Sequence, residues 1–377
     1  LELTTLLHHP RSGWSKSFPQ LDSPETLVTA FGAPELFDNP GPIAELAAAF
    51  PTSVLVGCSS AGEIHGGQVN DGTLSVAIAR FSNTPLRLTS VPIQSPLQSR
   101  EAGEAIGMAL DQPDLRGVFV LSDGLGVNGS ELVRGITAAI PAGSIVTGGL
   151  AGDGDRFQRT WVIDGGRPAS GRVVAVGFYG DRVKIGHGSK GGWDIFGRER
   201  VVTRSEGNVL YELDGEPALD LYKEYLGELA SQLPASALLF PLALRAQVGD
   251  EPQLVRTVLA IDEKHQAMVF AGDVPEGHLA QLMQANFDRL VSGAEGAAED
   301  AFNTDEGACL AIAISCVGRR LVLGERTEEE VEATLAILPA GSQQVGFYSY
   351  GEISPVTGGS CELHNQTMTL TTFSEAA

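Results

Sequence analysis

The chain has 377 residues, a formal net charge of -22, 43% hydrophobic residues and 19% charged residues. That balance excludes a disordered chain, and so acidic a surface repels nucleic acid and anionic lipid at long range. The length allows two ordinary domains, each with its own core.

Residues 1–10 lack the basic region and the long apolar run of a signal peptide, and no stretch approaches the length of a membrane span. The chain reads as a cytoplasmic protein whose start is trimmed, with residues 1–25 as an N-terminal extension and no membrane partner. Residues 26–50 carry helical patterning broken by Pro34 and Pro40. A short buried strand at 53–57 enters the loop 58–67, and 74–81 and 86–93 are further strands. A helix is predicted at 100–110. Next comes a strand at 117–121, a helix at 130–140 with Ser130 as its cap, and a strand at 144–147, which favours local parallel pairing. Strands at 160–163 and 173–179 follow around a glycine turn.

Asp214-Gly-Glu-Pro217 marks a domain boundary. Beyond it the pattern predicts a helix at 218–233 ended by Pro234, strands at 256–261 and 266–271, and a helix at 277–292. Strands at 309–316 and 344–348 flank a helix at 328–338, and 368–373 closes the chain. The fold class is α/β to α+β mixed, in two domains, 26–215 and 216–377, each a β-sheet flanked by helices. No residue-level repeat relates the halves.

Several segments could carry chemistry. Gly124-Leu-Gly-Val-Asn-Gly129 matches GxGxxG between a strand and a helix, but no carboxylate ends the next strand to hold a ribose. A plain loop before a capped helix is the competing reading. Gly57-Cys-Ser-Ser-Ala-Gly-Glu63 departs from a nucleophile elbow at Ala61, and the glycines after it disfavour the helix an elbow needs. It reads as a ligand loop, with Cys58, Ser59, Ser60 and Glu63 as polar contacts, or as a structural turn. The amides of 148–154 could cradle an anion, with Asp153 as a cap or a contact. Tyr348, Tyr350 and Glu352 alternate along one segment and could line a polar pocket, or simply pack a strand face. Along the next, His364 alternates with Glu362, Gln366 and Met368. An imidazole so placed can ligate haem iron axially, or hydrogen-bond at a core edge. The four cysteines form no CxxC pair, and the histidines show neither HExxH nor HxH spacing.

Taken in order, these segments resemble the FIST family. The matching pieces include Gly57-Cys-Ser-Ser-Ala-Gly-Glu-Ile64, Gly148-Gly-Leu-Ala-Gly-Asp153, Arg256-Thr-Val-Leu-Ala-Ile-Asp262, the stretch 346–353, and 361–369 with its Cys-Glu-Leu-His. The resemblance implies a FIST N-terminal and a FIST C-terminal domain forming one intracellular sensory module for a small ligand, amino acids among those proposed. One branch resembles haem-containing nitric oxide sensors, which implies His364 as the haem ligand. The partner it implies is a histidine kinase or a cyclic-di-GMP enzyme. An enzyme that uses a nucleotide at 124–129 or the thiol of Cys58 is the remaining alternative; the sequence predicts no catalytic residues.

Overall fold

The computed structural model describes residues 1–233, 235–247, 254–302, 307–356 and 361–376. All seven residues of Thr26–Gly32 are buried, and they form a strand where the sequence pattern predicts a helix. A strand covered on both faces carries an unbroken apolar run, so its period is invisible. The helix is confined to Gly41–Ala49, entered through Pro40.

That strand is the centre of a unit that occurs three times. An edge strand comes first, then the central strand, a helix, a third strand parallel to the central one, and a fourth strand inserted antiparallel between centre and edge. In the first repeat these are Glu2–His9, Thr26–Gly32, Gly41–Ala49, Val54–Ser59 and Leu74–Arg80. In the second they are Leu86–Pro92, Leu115–Ser122, Gly129–Ala138, Ile145–Leu150 and Arg172–Tyr179, with an added helix, Ser99–Leu110. In the third they are Val183–Lys190, Leu310–Cys316, Thr327–Ile337, Gln343–Ser349 and Met368–Glu375, with Phe287–Ala301 as the added helix. The first strand thus lies within residues 1–25 and is a full member of its sheet.

One position shows why the strands recur. Gly57, Gly148 and Gly346 face Ala30, Val120 and Ala313 in the parallel pairs. A Cβ on them would lie 1.9, 1.8 and 1.8 Å from the facing carbonyl oxygen. Only glycine lets the third strand approach the centre this closely.

A hairpin follows each third strand, and each is lent to a neighbour. Glu63–His65 and Gln68–Asn70 of the first repeat extend the third repeat's sheet at Gln343–Ser349. Val162–Asp164 and Arg167–Ala169 of the second join the first at Cys58. Gly351–Pro355 and Cys361–His364 of the third join the second at Ile145–Leu150. The exchange closes a ring. The inner faces of the three sheets share one core, in which Phe31 stacks on Phe347 at 4.8 Å and Phe178 on Phe373 at 4.5 Å.

Residues 191–286 are an insertion in the third repeat. Its described residues form a mostly β body with a core of its own around Leu210, Leu219, Tyr222 and Phe270. Here Leu279–Gln284 is a strand, and the helix read at 277–292 starts only at Phe287, capped by the Asn286 side chain. The helix from Ala218 ends at Leu226, where Gly227 turns to φ +56°, and continues as a 3-10 turn. Pro234 lies outside the described residues.

Other local readings also shift. The helix Gly129–Ala138 is capped by Asn128, whose side chain accepts from the Glu131 N–H; Ser130 lies inside the helix. Tyr348 and Glu352 lie on strands of two different sheets, with Tyr350 at the crossing. Gln366, at φ +61°, breaks the alternation read through His364 to Met368.

Candidate functional site

The carboxyl ends of the third strands meet at the centre of the ring. Ala61 N–H donates to Tyr348 O at 2.9 Å, Gly152 to Ser59 at 3.0 Å and Tyr350 to Leu150 at 3.2 Å. A crevice opens at each junction between repeats, and the three differ. The crevice between the first and second repeats is filled by the wholly buried Trp161 and crossed by the ion pairs Arg156–Glu35 and Arg159–Asp38. The one between the first and third, which the 153–156 loop of the second also reaches, is an open polar groove of 660 Å³, lined by Asp71, Asp153, Arg156, Arg320 and Glu328 among others. An Arg320–Asp71 ion pair of 2.6 Å spans its side.

Between the second and third repeats lies a cavity of 270 Å³, roofed by the insertion and partly open to solvent. Its walls come from three places. The 124–128 loop and Phe157 belong to the second repeat; Cys316, Val317, Gly318 and Tyr350 to the third; Thr257, Leu259, Phe270 and Gly272 to the insertion. Among the described residues lining it there is no Asp, Glu, Lys, Arg or His. Burial, with Glu352 nearby, pushes the Cys316 thiol up to about 12. Burial and the bond to Asp153 push the Tyr350 phenol well up too. Both are therefore uncharged at neutral pH.

The roof is fastened at both ends. Asn128 Nδ2 donates to Asp273 at 3.1 Å, and Arg134 pairs with the same carboxylate at 3.0 Å. On the other side the buried Arg256 donates from Nη1 to Leu363 O at 2.9 Å and from Nε to Asp273 O at 2.8 Å. Trp193 Nε1 donates to Gln366 O at 2.7 Å. Tyr350 OH donates to Asp153 and, at 3.0 Å, to Gly154 O. The other Asp153 oxygen accepts from the Gln158 and Arg159 amides at 2.9 Å each. Those bonds shape the loop that lays Phe157 flat on Tyr350, with centroids 4.5 Å apart and planes 9° apart.

Of the residues singled out in the sequence, Tyr350 lines this cavity and Asp153 lines the polar groove while holding Tyr350. The others sit elsewhere. Cys58 lies in the shared core, its thiol pushed up by burial. Ser59 Oγ accepts from Trp161 N–H at 3.1 Å, and Ser60 Oγ from Gly62 N–H at 2.8 Å. Glu63 accepts from the amide and hydroxyl of Thr73, and Glu352 from those of Thr367 and from Ser349 Oγ. Both carboxyls are pushed up to about 8 by burial, and both tie a hairpin to the strand that follows it. Tyr348 OH donates to the buried Glu330 at 2.7 Å.

His364 is 5% exposed, and burial lowers its pKa to about 4. Its Nε2 lies 2.9 Å from Ser354 O, and a carbonyl only accepts, so Nε2 carries the proton. With that nitrogen occupied and the ring outside the cavity wall, the geometry does not fit an axial haem ligand. No cluster of three or more potential metal ligands occurs among the described residues, and no described helix is long and apolar enough to cross a membrane.

Sequence reasoning found Tyr350 and the 124–129 loop but missed Phe157, Thr257 and the start of the helix Val317–Leu323. The two glycines at 124 and 126 were the only local signal. Thr257 sits inside an apolar run, and nothing in a sequence announces a phenylalanine in left-handed conformation.

An uncharacterised protein of Methanocaldococcus jannaschii is 25% identical over 345 residues, which cover 80% of this chain and 64% of that protein. The chain therefore spans just under two thirds of the length of this relative. Among solved structures, cyanuric acid hydrolase from A. caulinodans has a TM-score of 0.35 and 10% identity, over 93% of this chain and 90% of that one. That likeness is too slight to carry an argument. FIST domains are small-ligand sensory domains of signalling proteins. The FIST N domain matches residues 26–216 and the FIST C domain residues 218–355, and the chain belongs to the FIST family.

Proposed function

We propose that this protein senses a small molecule bound in the 270 Å³ cavity, and that occupancy is reported through the position of the insertion relative to the three repeats. The observation that carries this reading is the composition of the walls. The same cavity touches the second repeat, the third repeat and the insertion, so a ligand there bonds to both bodies at once. A ligand with differential affinity for the closed arrangement shifts the population towards it, and a separate signalling protein, a histidine kinase or a cyclic-di-GMP enzyme, reads the shift. The buried, protonated state of Cys58 favours sensing over thiol catalysis, which needs an accessible thiolate.

The test is a thermal-shift screen of metabolites, amino acids included, on the wild type and on Ala271→Phe, which places a ring in the cavity. A ligand at a hundred times its Kd stabilises the native state by about 2.7 kcal/mol, which such a screen resolves. Stabilisation of the wild type and none of Ala271→Phe is the expected outcome. Equal stabilisation of both would place the ligand elsewhere.

A further inference from the structure

We infer that the ligand of this cavity is an uncharged planar ring compound with a hydrogen-bonding edge, lying against the Phe157–Tyr350 pair and bonded to Thr257. This rests on the reading of the cavity as the ligand site and narrows it to a chemical class.

Charge is the first constraint. With no ionised residue in the described wall, an ion would enter without a counter-charge, at a cost of several kcal/mol. The buried ionisable groups nearby do not supply one. Arg256 sits behind Gly272, with Nε and Nη1 bonded to the carbonyls of Asp273, Val255 and Leu363. Glu352, near Cys316, has both oxygens bonded to Ser349 and Thr367. A free amino acid, which carries both charges, is disfavoured on the same ground.

Shape is the second. Phe157 has φ +49°, a conformation costing a bulky side chain on the order of 1 kcal/mol, and it remains 47% exposed. Neither backbone preference nor burial accounts for it. Its position does one thing: it makes a flat two-ring wall with Tyr350. The exposed Leu125 and Leu259 continue the apolar lining. Such a surface takes a flat ring by offset stacking.

Hydrogen bonding is the third. Thr257 lines the cavity, is 4% exposed, and its Oγ1 has no partner. A buried hydroxyl in that state destabilises the empty protein, and a turn about χ1 that brings it to the cavity would let a ligand edge with a donor or acceptor satisfy it. Gln366 Oε1, wholly buried behind Gly318, is likewise unpartnered.

The experiment is a titration of the full chain with matched probes. Nicotinamide, benzamide, uracil and indole are the neutral rings, nicotinate is the anionic counterpart of nicotinamide, and phenylalanine is the zwitterion. At least one neutral ring is expected to bind saturably, with nicotinate and phenylalanine at least about tenfold weaker. Thr257→Val should weaken the neutral ring about tenfold, Thr257→Ser should restore it, and Phe157→Ala should weaken it about three- to tenfold. Ala271→Phe should abolish it, with circular dichroism confirming that the variant is folded. Tighter binding of nicotinate or phenylalanine, lost in Ala271→Phe, would overturn the ligand class and leave the site standing. Neutral-ring binding that survives Ala271→Phe would overturn both. No binding by any neutral ring at millimolar concentration, or no effect of Thr257→Val, would overturn the inference.

Discussion

Alanine at position 346 should be among the most damaging conservative changes this chain can suffer. Its Cβ would lie 1.8 Å from Ala313 O and 2.7 Å from Ala313 C. An ordinary C···O contact is about 3.3 Å, so the strands must part by roughly 1.5 Å, more than a ladder hydrogen bond tolerates. The pair joins Leu310–Cys316 to Gln343–Ser349 at seven positions inside a sheet buried on both faces. Opening two or three bonds there, at about 1–3 kcal/mol for each bond lost, amounts to about 2–9 kcal/mol. Gly57→Ala and Gly148→Ala should behave alike, since each meets a facing carbonyl as closely. Gly165→Ala is the control: φ +57° strains it, but nothing lies within 4 Å, so about 1 kcal/mol is expected. Urea denaturation of the four variants decides the matter. If Gly346→Ala falls no further than Gly165→Ala, the strands are not held together as described, and the argument for a threefold close approach is wrong.

Other consequences are testable in the same assay. Arg319 and Glu330 form a wholly buried pair at 2.7 Å, so Glu330→Gln should cost about 3–5 kcal/mol by stranding a buried cation, while Arg319→Met with Glu330→Leu should cost less than the sum of the single changes. Additive costs would contradict a coupled pair. Glu63 and Glu352 are raised in the folded state from 4.5 to about 8, so the native protein holds their protons more tightly than the unfolded chain. Their stabilisation is complete below about pH 4.5 and is lost as pH rises towards 8, by about 1.4 kcal/mol per pH unit for each group. Glu352→Gln should remove one share of that slope, and an unchanged slope would exclude a protonated carboxyl there. His364 acts oppositely: lowered from 6.5 to about 4, its stabilisation is present above pH 6.5 and lost as pH falls through 4, a loss that His364→Gln should abolish.

Much of the local structure was legible. The strand-helix-strand run through Leu115–Ser122, Gly129–Ala138 and Ile145–Leu150 follows the sequence closely, because its connections are short and its helix is amphipathic. Thr26–Gly32 was misread because full burial erases the period that separates strand from helix. The repeat is hidden in the sequence because it is threefold, so two halves of the chain do not superpose, and because the insertion at 191–286 pushes the third copy apart. In hindsight Gly57 to Glu63 and Gly346 to Glu352 share the spacing G-x-x-x-x-G-E, and Gly148 to Asp153 is a shortened version. Of the candidate site residues, the polar ones around these glycines proved to be hairpin fasteners in the main. A carboxylate beside a tight turn looks the same in a sequence whether it meets a ligand or a neighbouring threonine. The cavity is lined by Thr257, Phe157 and Tyr350, which are far apart in the chain and carry no spacing to read.

The loan of hairpins around the ring bears on how the chain comes into being. The first hairpin has its sheet partner at Gln343–Ser349, and Ile145–Leu150 of the second repeat must wait for Gly351–Pro355. As the polypeptide leaves the ribosome, the earlier repeats emerge with open strand edges that no residue yet synthesised can cover. Folding completes only when the last segment arrives, through contacts of very long sequence separation, which makes it slow. A fragment cut at residue 216 would keep most of two sheets but lose two of the three loans, and should emerge sticky and dependent on chaperones. For these three repeats, cooperativity waits for the third.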